Sequence, residues 1–451
     1  MLPDDVLQDA DTRDLLVGAG TRVLHIGPHK TGTTAVQAAF QQARERLAAQ
    51  GVAYTATVRG VLAVMGRQAM RGEAEPDIAH WDKLVREISE AGNRRVLVSS
   101  EFFADGDDET ARRVIEDLGG SRVHVVVTLR SLAKIMPSQW QQYLQNGACT
   151  PYLKWLDAML RKPPYTQPTP SFWRRHRHDK LIARWAAAAG AHNVTVIVVD
   201  ESDRLMLLRT FESLLGLQGD FLVSDEQAMN RSLTLAEAEL VRLLNTEFKR
   251  QGWPDSSYAR FMRYGAVKRM KTARQPSPDE PRIVTPAWAL ERAAEIGAEM
   301  ADNILALGVR VVGDISALGK LPADPPEAEA DAGSMEPLIP AEAAAQAVAG
   351  AFGAGGVAGQ TAEVDKRHAV DDRPVREVDA KTLARVLVKR GKQRVHKAYQ
   401  LRALGRPPAG PSGGMLPCAG QGLVRHRDNQ RGADREYECG SNIHADHVPG
   451  H

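Results

Sequence analysis

The chain is poor in cysteine, in net charge and in long apolar runs, and each shortage removes a class of function. Its 451 residues include three cysteines, Cys149, Cys418 and Cys439. None belongs to a CxxC pair and no His/Cys cluster has zinc spacing, which fits a reducing compartment. The formal net charge of +2 gives no support to nucleic acid as a partner. No stretch approaches the ~18 consecutive apolar residues of a membrane span. The acidic, polar start "MLPDDVLQDADTRD" is unlike a signal peptide. The expectation is a soluble, cytoplasmic protein.

What is present divides along the chain. Residues 1–20 read as a flexible leader, and 21–320 alternate strand-like with helix-like segments. Residues 321–378 are rich in Ala, Gly, Pro and Glu and read as a low-complexity linker with room for a short Ala-rich helix. Residues 379–406 carry nine Lys/Arg against one Asp and form a basic helical pattern, the candidate for a weak membrane-surface contact. Residues 407–451 read as a disordered tail. Within 21–320, "RVLHIG" (22–27), "RVLVSSE" (95–101), "RVHVVVTLR" (122–130) and "VTVIVVD" (194–200) are apolar strands. Helical patterns at 34–50, 109–119 and 180–190 lie between or beside them. Strands separated by helices imply an α/β fold, a parallel central sheet flanked by helices. Ligands of such sheets sit at the carboxyl ends of the strands, and three candidate elements fall there.

The first is "HIGPHKTGTT" (25–34), which follows a strand and opens a helix. Successive N–H groups and the helix dipole in that setting suit a phosphate. Gly27 and Gly32 permit close backbone approach, Lys30 supplies a mobile charge, and Thr31, Thr33 and Thr34 offer hydroxyls. The nucleotide loop GxxxxGK[ST] is not matched, because this lysine precedes the second glycine. The second element is "TLRSLAKIMPS" (128–138): Arg130 ends a strand and Ser138 lies eight residues on. Pro137 either begins the next helix or kinks it. The third is "SSE", where Glu101 closes a strand and suits a general base. Elsewhere, His25 reads as a packed core residue. The aromatic, proline-rich stretch 146–178, with the basic "FWRRHRHDKL" (172–181), reads as cover for the crevice that shapes acceptor specificity.

Taken in order, the three elements resemble the sulfotransferase superfamily that uses 3′-phosphoadenosine 5′-phosphosulfate (PAPS). "GPHKTGTT" looks like its 5′-phosphosulfate loop, and "TLRSLAKIMPS" like its 3′-phosphate motif. "SSE" stands where members carry a catalytic His or an acidic residue. The wording "LHIGPHKTGTTAVQ" is closest to uncharacterised bacterial sulfotransferases. The likeness covers roughly residues 21–320 and implies a P-loop-like sulfotransferase fold. It implies that His29, Lys30, Thr31, Gly32, Thr33, Thr34, Arg130 and Ser138 bind PAPS, that Lys30 and Glu101 are catalytic, and that no metal is needed. The implied acceptor is a hydroxyl of a carbohydrate, glycolipid or small metabolite. The Gly-rich segment of the cytosolic branch is not visible, which leaves the adenine contacts unassigned. Two other readings stand beside this one: a variant P-loop kinase or NTPase, and a catalytically inactive nucleotide binder.

Overall fold

Apolar runs flanked by amphipathic helices must be covered on both faces, and here they form one all-parallel sheet of six strands. The computed structural model describes residues 15–55, 58–67, 75–224, 231–322 and 337–355. The chain before residue 15, most of the linker, the basic segment 379–406 and the tail lie outside the described residues. These described residues all fall in one compact unit. The sheet runs β2-β3-β1-β4-β5-β6, with β1 at Arg22–His25, β2 at Val52–Thr55 and β3 at Arg95–Ser99. The remaining strands are β4 at Val123–Leu129, β5 at Val194–Val198 and β6 at Arg310–Val312.

Side chains alternate across the sheet, and the register keeps each set on one face. Leu24 pairs with Val98 and Val125. With Val127 and Val196 these residues pack against Trp81, Phe103 and Trp185. Val23, Leu97, Val126 and Ile197 point to the other face, against Phe40 and Phe211. All seven residues of β4 are buried, as its largely apolar run predicts for a strand covered on both faces.

β2 and β6 have no counterpart in the sequence reading, because runs of four and three residues carry too little periodicity. Leu15 and Val17, assigned above to a flexible leader, are buried. The Val17 N–H donates to the Leu214 carbonyl at 3.0 Å, so the fold begins earlier than composition suggests. The linker also contributes: Ala341–Ala354 is a helix, and Ala347 belongs to a core cluster with Ala266, Val267 and Met270.

That cluster is a second, helical layer built on Leu132–Gln145, Tyr152–Leu160 and Ala287–Ala306. Tyr152, Trp155 and Phe172, expected to cover a crevice, are part of this interior. Large aromatic surfaces gain more from burial than from exposure at a rim. A buried carboxylate ties the layer together. Glu237 forms a capping box with Thr234, accepts from both Arg231 nitrogens at 2.7 and 2.8 Å and from Arg274 at 2.9 Å.

Phe211 packs at 5.0 Å from the His25 ring and 6.0 Å from Phe40, on one face of the sheet. Phe211→Ala is expected to destabilise the fold by about 3–5 kcal/mol, read as a lowered denaturant midpoint with an unchanged slope.

Candidate anion-binding cleft

The loop between β1 and helix Thr33–Leu47 is held by hydroxyls and one histidine. His25 is fully buried and bridges its neighbouring strands, with Nδ1 2.9 Å from Ser99 Oγ on β3 and Nε2 3.2 Å from Thr128 Oγ1 on β4. Burial draws its pKa down to about 3, so the ring is neutral. Thr128 continues the network: its N–H donates to the Gly27 carbonyl at 2.8 Å, and its hydroxyl lies 2.7 Å from that of Thr31. Thr31 Oγ1 donates to the Pro28 carbonyl at 2.6 Å. Thr31 therefore departs from the expectation for it. Its hydroxyl is committed to the interior, and the residue is wholly buried.

The loop turns on backbone that a side chain would obstruct. Gly27 has φ 79°, and a Cβ there would lie 3.0 Å from Glu101 Cα. Gly32 has φ 96°, and a Cβ would meet Leu207 Cδ2 at 2.7 Å. Lys30 also takes a left-handed φ, 69°, a conformation that persists only where the surroundings impose it.

A cleft of about 680 Å³ opens above the loop. His29, Lys30, Gly32, Thr33, Thr34, Glu101, Arg130 and Ser138 all line it, so four separate segments meet at the carboxyl ends of β1, β3 and β4. Glu101 starts a short 3₁₀ turn just after β3. Its Oε2 accepts from Gln37 Nε2 at 3.3 Å, and the same amide donates to the Ser99 carbonyl at 3.1 Å. Arg130 leaves β4 with its Nε donating to Glu201 at 2.8 Å, which orients the guanidinium. Pro137 lies inside helix Leu132–Gln145, so Ser138 faces the cleft from the helix body rather than from among free N–H groups. Gln142, one turn on, accepts from Lys30 Nζ at 3.1 Å.

The opposite wall was not legible. Arg231, Arg263, Lys268 and Lys271 line the cleft from after residue 230, and no short motif marks them in the sequence. Among the described residues, six lysines and arginines thus line the cleft with one carboxylate, Glu101. Burial, and after it the neighbouring charge of Lys271, lowers the Lys30 pKa from 10.5 to about 8, with Glu101 pulling the other way and Arg263 adding to the fall. Lys271 is lowered as well, by burial and then by Arg231. His29 is held well below 6.5 by burial and by Arg175, Lys30 and Arg67. Two buried polar atoms at the loop, His29 Nε2 and Thr33 Oγ1, have no hydrogen-bond partner among the described residues. Crowded cations together with unpaired polar atoms suit a polyanion.

The basic stretch 172–181 is engaged elsewhere. Arg175 pairs with Asp105 through two bonds of 2.6 and 2.7 Å, and Arg177 with Asp179 and Glu299. No residue from 146–178 lines the cleft. Among the described residues there is no group of His, Cys, Asp and Glu able to hold a metal, and no helix is long and apolar enough to cross a membrane. No protein-family model matches the chain, and no curated protein matches it.

Two outcomes follow for inorganic pyrophosphate as probe. Lys30 is a cation only below its folded pKa of about 8, so affinity should fall as pH rises through about 8. Lys30→Arg, whose guanidinium stays charged, should lose that step in a calorimetric pH series. Thr128→Val strands the buried His25 Nε2, at about 1–3 kcal/mol, and leaves the Thr31 hydroxyl with the Pro28 carbonyl alone. It should lower both the thermal midpoint and pyrophosphate affinity.

Proposed function

We propose that the protein is a sulfotransferase that moves a sulfonate group from PAPS to a hydroxyl of a carbohydrate, glycolipid or small metabolite. One observation carries the reading: Lys30, Glu101, Arg130 and Ser138, which the sequence likeness singles out, converge with four further cations on one cleft. The residues present fit the donor. The loop offers N–H groups, the orphaned Thr33 hydroxyl and the His29 ring to the 5′-phosphosulfate. Arg130, oriented by Glu201, and Ser138 suit the 3′-phosphate. That second phosphate is what distinguishes this donor from ATP.

The chemistry is an in-line displacement at sulfur. The acceptor oxygen forms a bond to sulfur as the bond from sulfur to the 5′-phosphate oxygen breaks, releasing 3′-phosphoadenosine 5′-phosphate (PAP). Charge builds on that leaving oxygen. Lys30 and the loop N–H groups are placed to stabilise it, so positioning and electrostatics do most of the work. Glu101, steadied by Gln37, takes the proton of the acceptor hydroxyl. Gln142 accepts from the Lys30 ammonium and keeps it over the loop between turnovers.

Calorimetry of PAP, ATP and 5′-AMP binding without added metal tests the reading. PAP should bind in the micromolar range and the other two weakly. Lys30→Ala and Arg130→Ala should each lose more than the ~1 kcal/mol of an exposed ion pair. Glu101→Gln should bind PAP normally and release it from PAPS far more slowly. Magnesium-dependent ATP binding in place of PAP would sink the sulfotransferase reading.

A further inference from the structure

The far wall of the cleft is carried by backbone of an uncommon kind. Ala259–Val267 is a π-helix of nine residues, and the Lys268 N–H closes it on the Arg263 carbonyl, five residues back. Such helices mostly occur as single-turn bulges inside α-helices, so a run of this length needs support from its surroundings. Its two sides differ. Arg263 within it, and Lys268 and Lys271 in the α-helix Lys268–Ala273 that continues it, stand five and three residues apart and all line the cleft. Met262, Gly265 and Ala266 are buried.

The support comes from helix Ala341–Ala354, far along the chain. Its buried residues Ala343, Ala347 and Gly350 recur every turn, and they let the two backbones touch. A Cβ added to Gly350 would lie 2.4 Å from the Gly265 carbonyl oxygen, and one added to Gly265 would lie 2.9 Å from that of Gly350. Polar fastenings follow the length of the contact. Arg260 Nε donates to the Ala354 carbonyl at 2.6 Å, and Arg269 Nε to Gln346 Oε1 at 3.0 Å. Arg274, almost wholly buried, reaches Glu342 at 3.4 Å while it bonds Glu237. Each of these arginines belongs to the segment that presents Arg263, Lys268 and Lys271. No residue of Ala341–Ala354 itself lines the cleft.

We infer that helix Ala341–Ala354 is a positioning element of the cleft: it sets where Arg263, Lys268 and Lys271 stand, and anion affinity depends on it. The inference rests on the cleft being an anion site, and it needs no particular anion. Like charges held this close repel one another. A wall free to relax would spread its cations apart. The glycine contact prevents that by leaving the π-helix no room to retreat.

Two substitutions on the same helix separate this role from general stability. Gly350→Val places a β-branched side chain against the Gly265 carbonyl. Gly353→Val makes the same chemical change where an added Cβ meets nothing within 4 Å. Both are made in the full chain, and pyrophosphate binding is measured below both unfolding midpoints at two ionic strengths. Gly350→Val should bind about ten-fold more weakly, roughly 1.4 kcal/mol. Its affinity should also depend less on salt, because fewer cations meet the ligand. Gly353→Val should match the wild type. The double variant Glu342→Gln, Gln346→Ala cuts two fastenings without a clash, and it serves if Gly350→Val does not fold. It should weaken binding in the same direction. Wild-type affinity and salt dependence in the Gly350 and double variants, or an equal loss in Gly353→Val, would overturn the inference. So would absence of pyrophosphate binding by the wild type. Pyrophosphate binding without PAP binding would remove the sulfotransferase reading and leave this inference standing.

Discussion

Everything in the cleft depends on how the loop after β1 is tied down. His25, Thr31 and Thr128 join three adjacent strands and the loop through hydrogen bonds of 2.6 to 3.2 Å. Every member is buried, so an unmade bond there would cost a full desolvation penalty. The network therefore permits few loop positions. Its consequence is directional: Thr31 faces inward, Thr33 and Thr34 face the cleft, and Lys30 is held at a positive φ over the opening.

On that fixed floor the cleft accumulates charge of one sign. The cations come from the loop, from the end of β4 and from the wall after residue 230, and burial followed by neighbouring cations lowers the pKa values of Lys30 and Lys271. Bringing such charges together opposes folding. The helical layer offsets it through the Glu237 hub, where Arg231 and Arg274 meet a buried carboxylate, and through apolar packing around Trp155, Phe172 and Met300. Arg274 is thus paired behind the wall, while Arg231 is paired with the same carboxylate and also lines the cleft.

The two layers divide the labour. The sheet presents the strand ends, which place Glu101 and Arg130. The helical layer supplies Ser138 and Gln142 from helix Leu132–Gln145 and the entire opposite wall. Asn245 Nδ2 reaches the Leu144 and Ala148 carbonyls at 2.8 and 2.7 Å, which secures the end of that helix against Leu235–Arg250. A glutamine row on one helix face and a lysine–arginine row on the other then confront each other across the opening.

The amino-acid sequence by itself determined the α/β alternation, the buried character of β4 and the loop with Lys30. Those signals are local: apolar periodicity, glycine placement and a strand running into a helix. It also indicated Glu101 and Arg130, because strand ends face the crevice in a parallel sheet, and Ser138 through the family resemblance of the stretch after Arg130. Only the tertiary structure decided that Thr31 turns inward, since its partner Thr128 lies 97 residues away. The same holds for the buried aromatics of 152–172 and the ion pair that occupies Arg175. The cationic wall was the least legible part. Arg263 stands in a π-helix, Lys268 and Lys271 in the α-helix that follows it, and this stretch touches a glycine 85 residues further along the chain. A contact between distant segments is not specified within either one, and so no single stretch of sequence carries it.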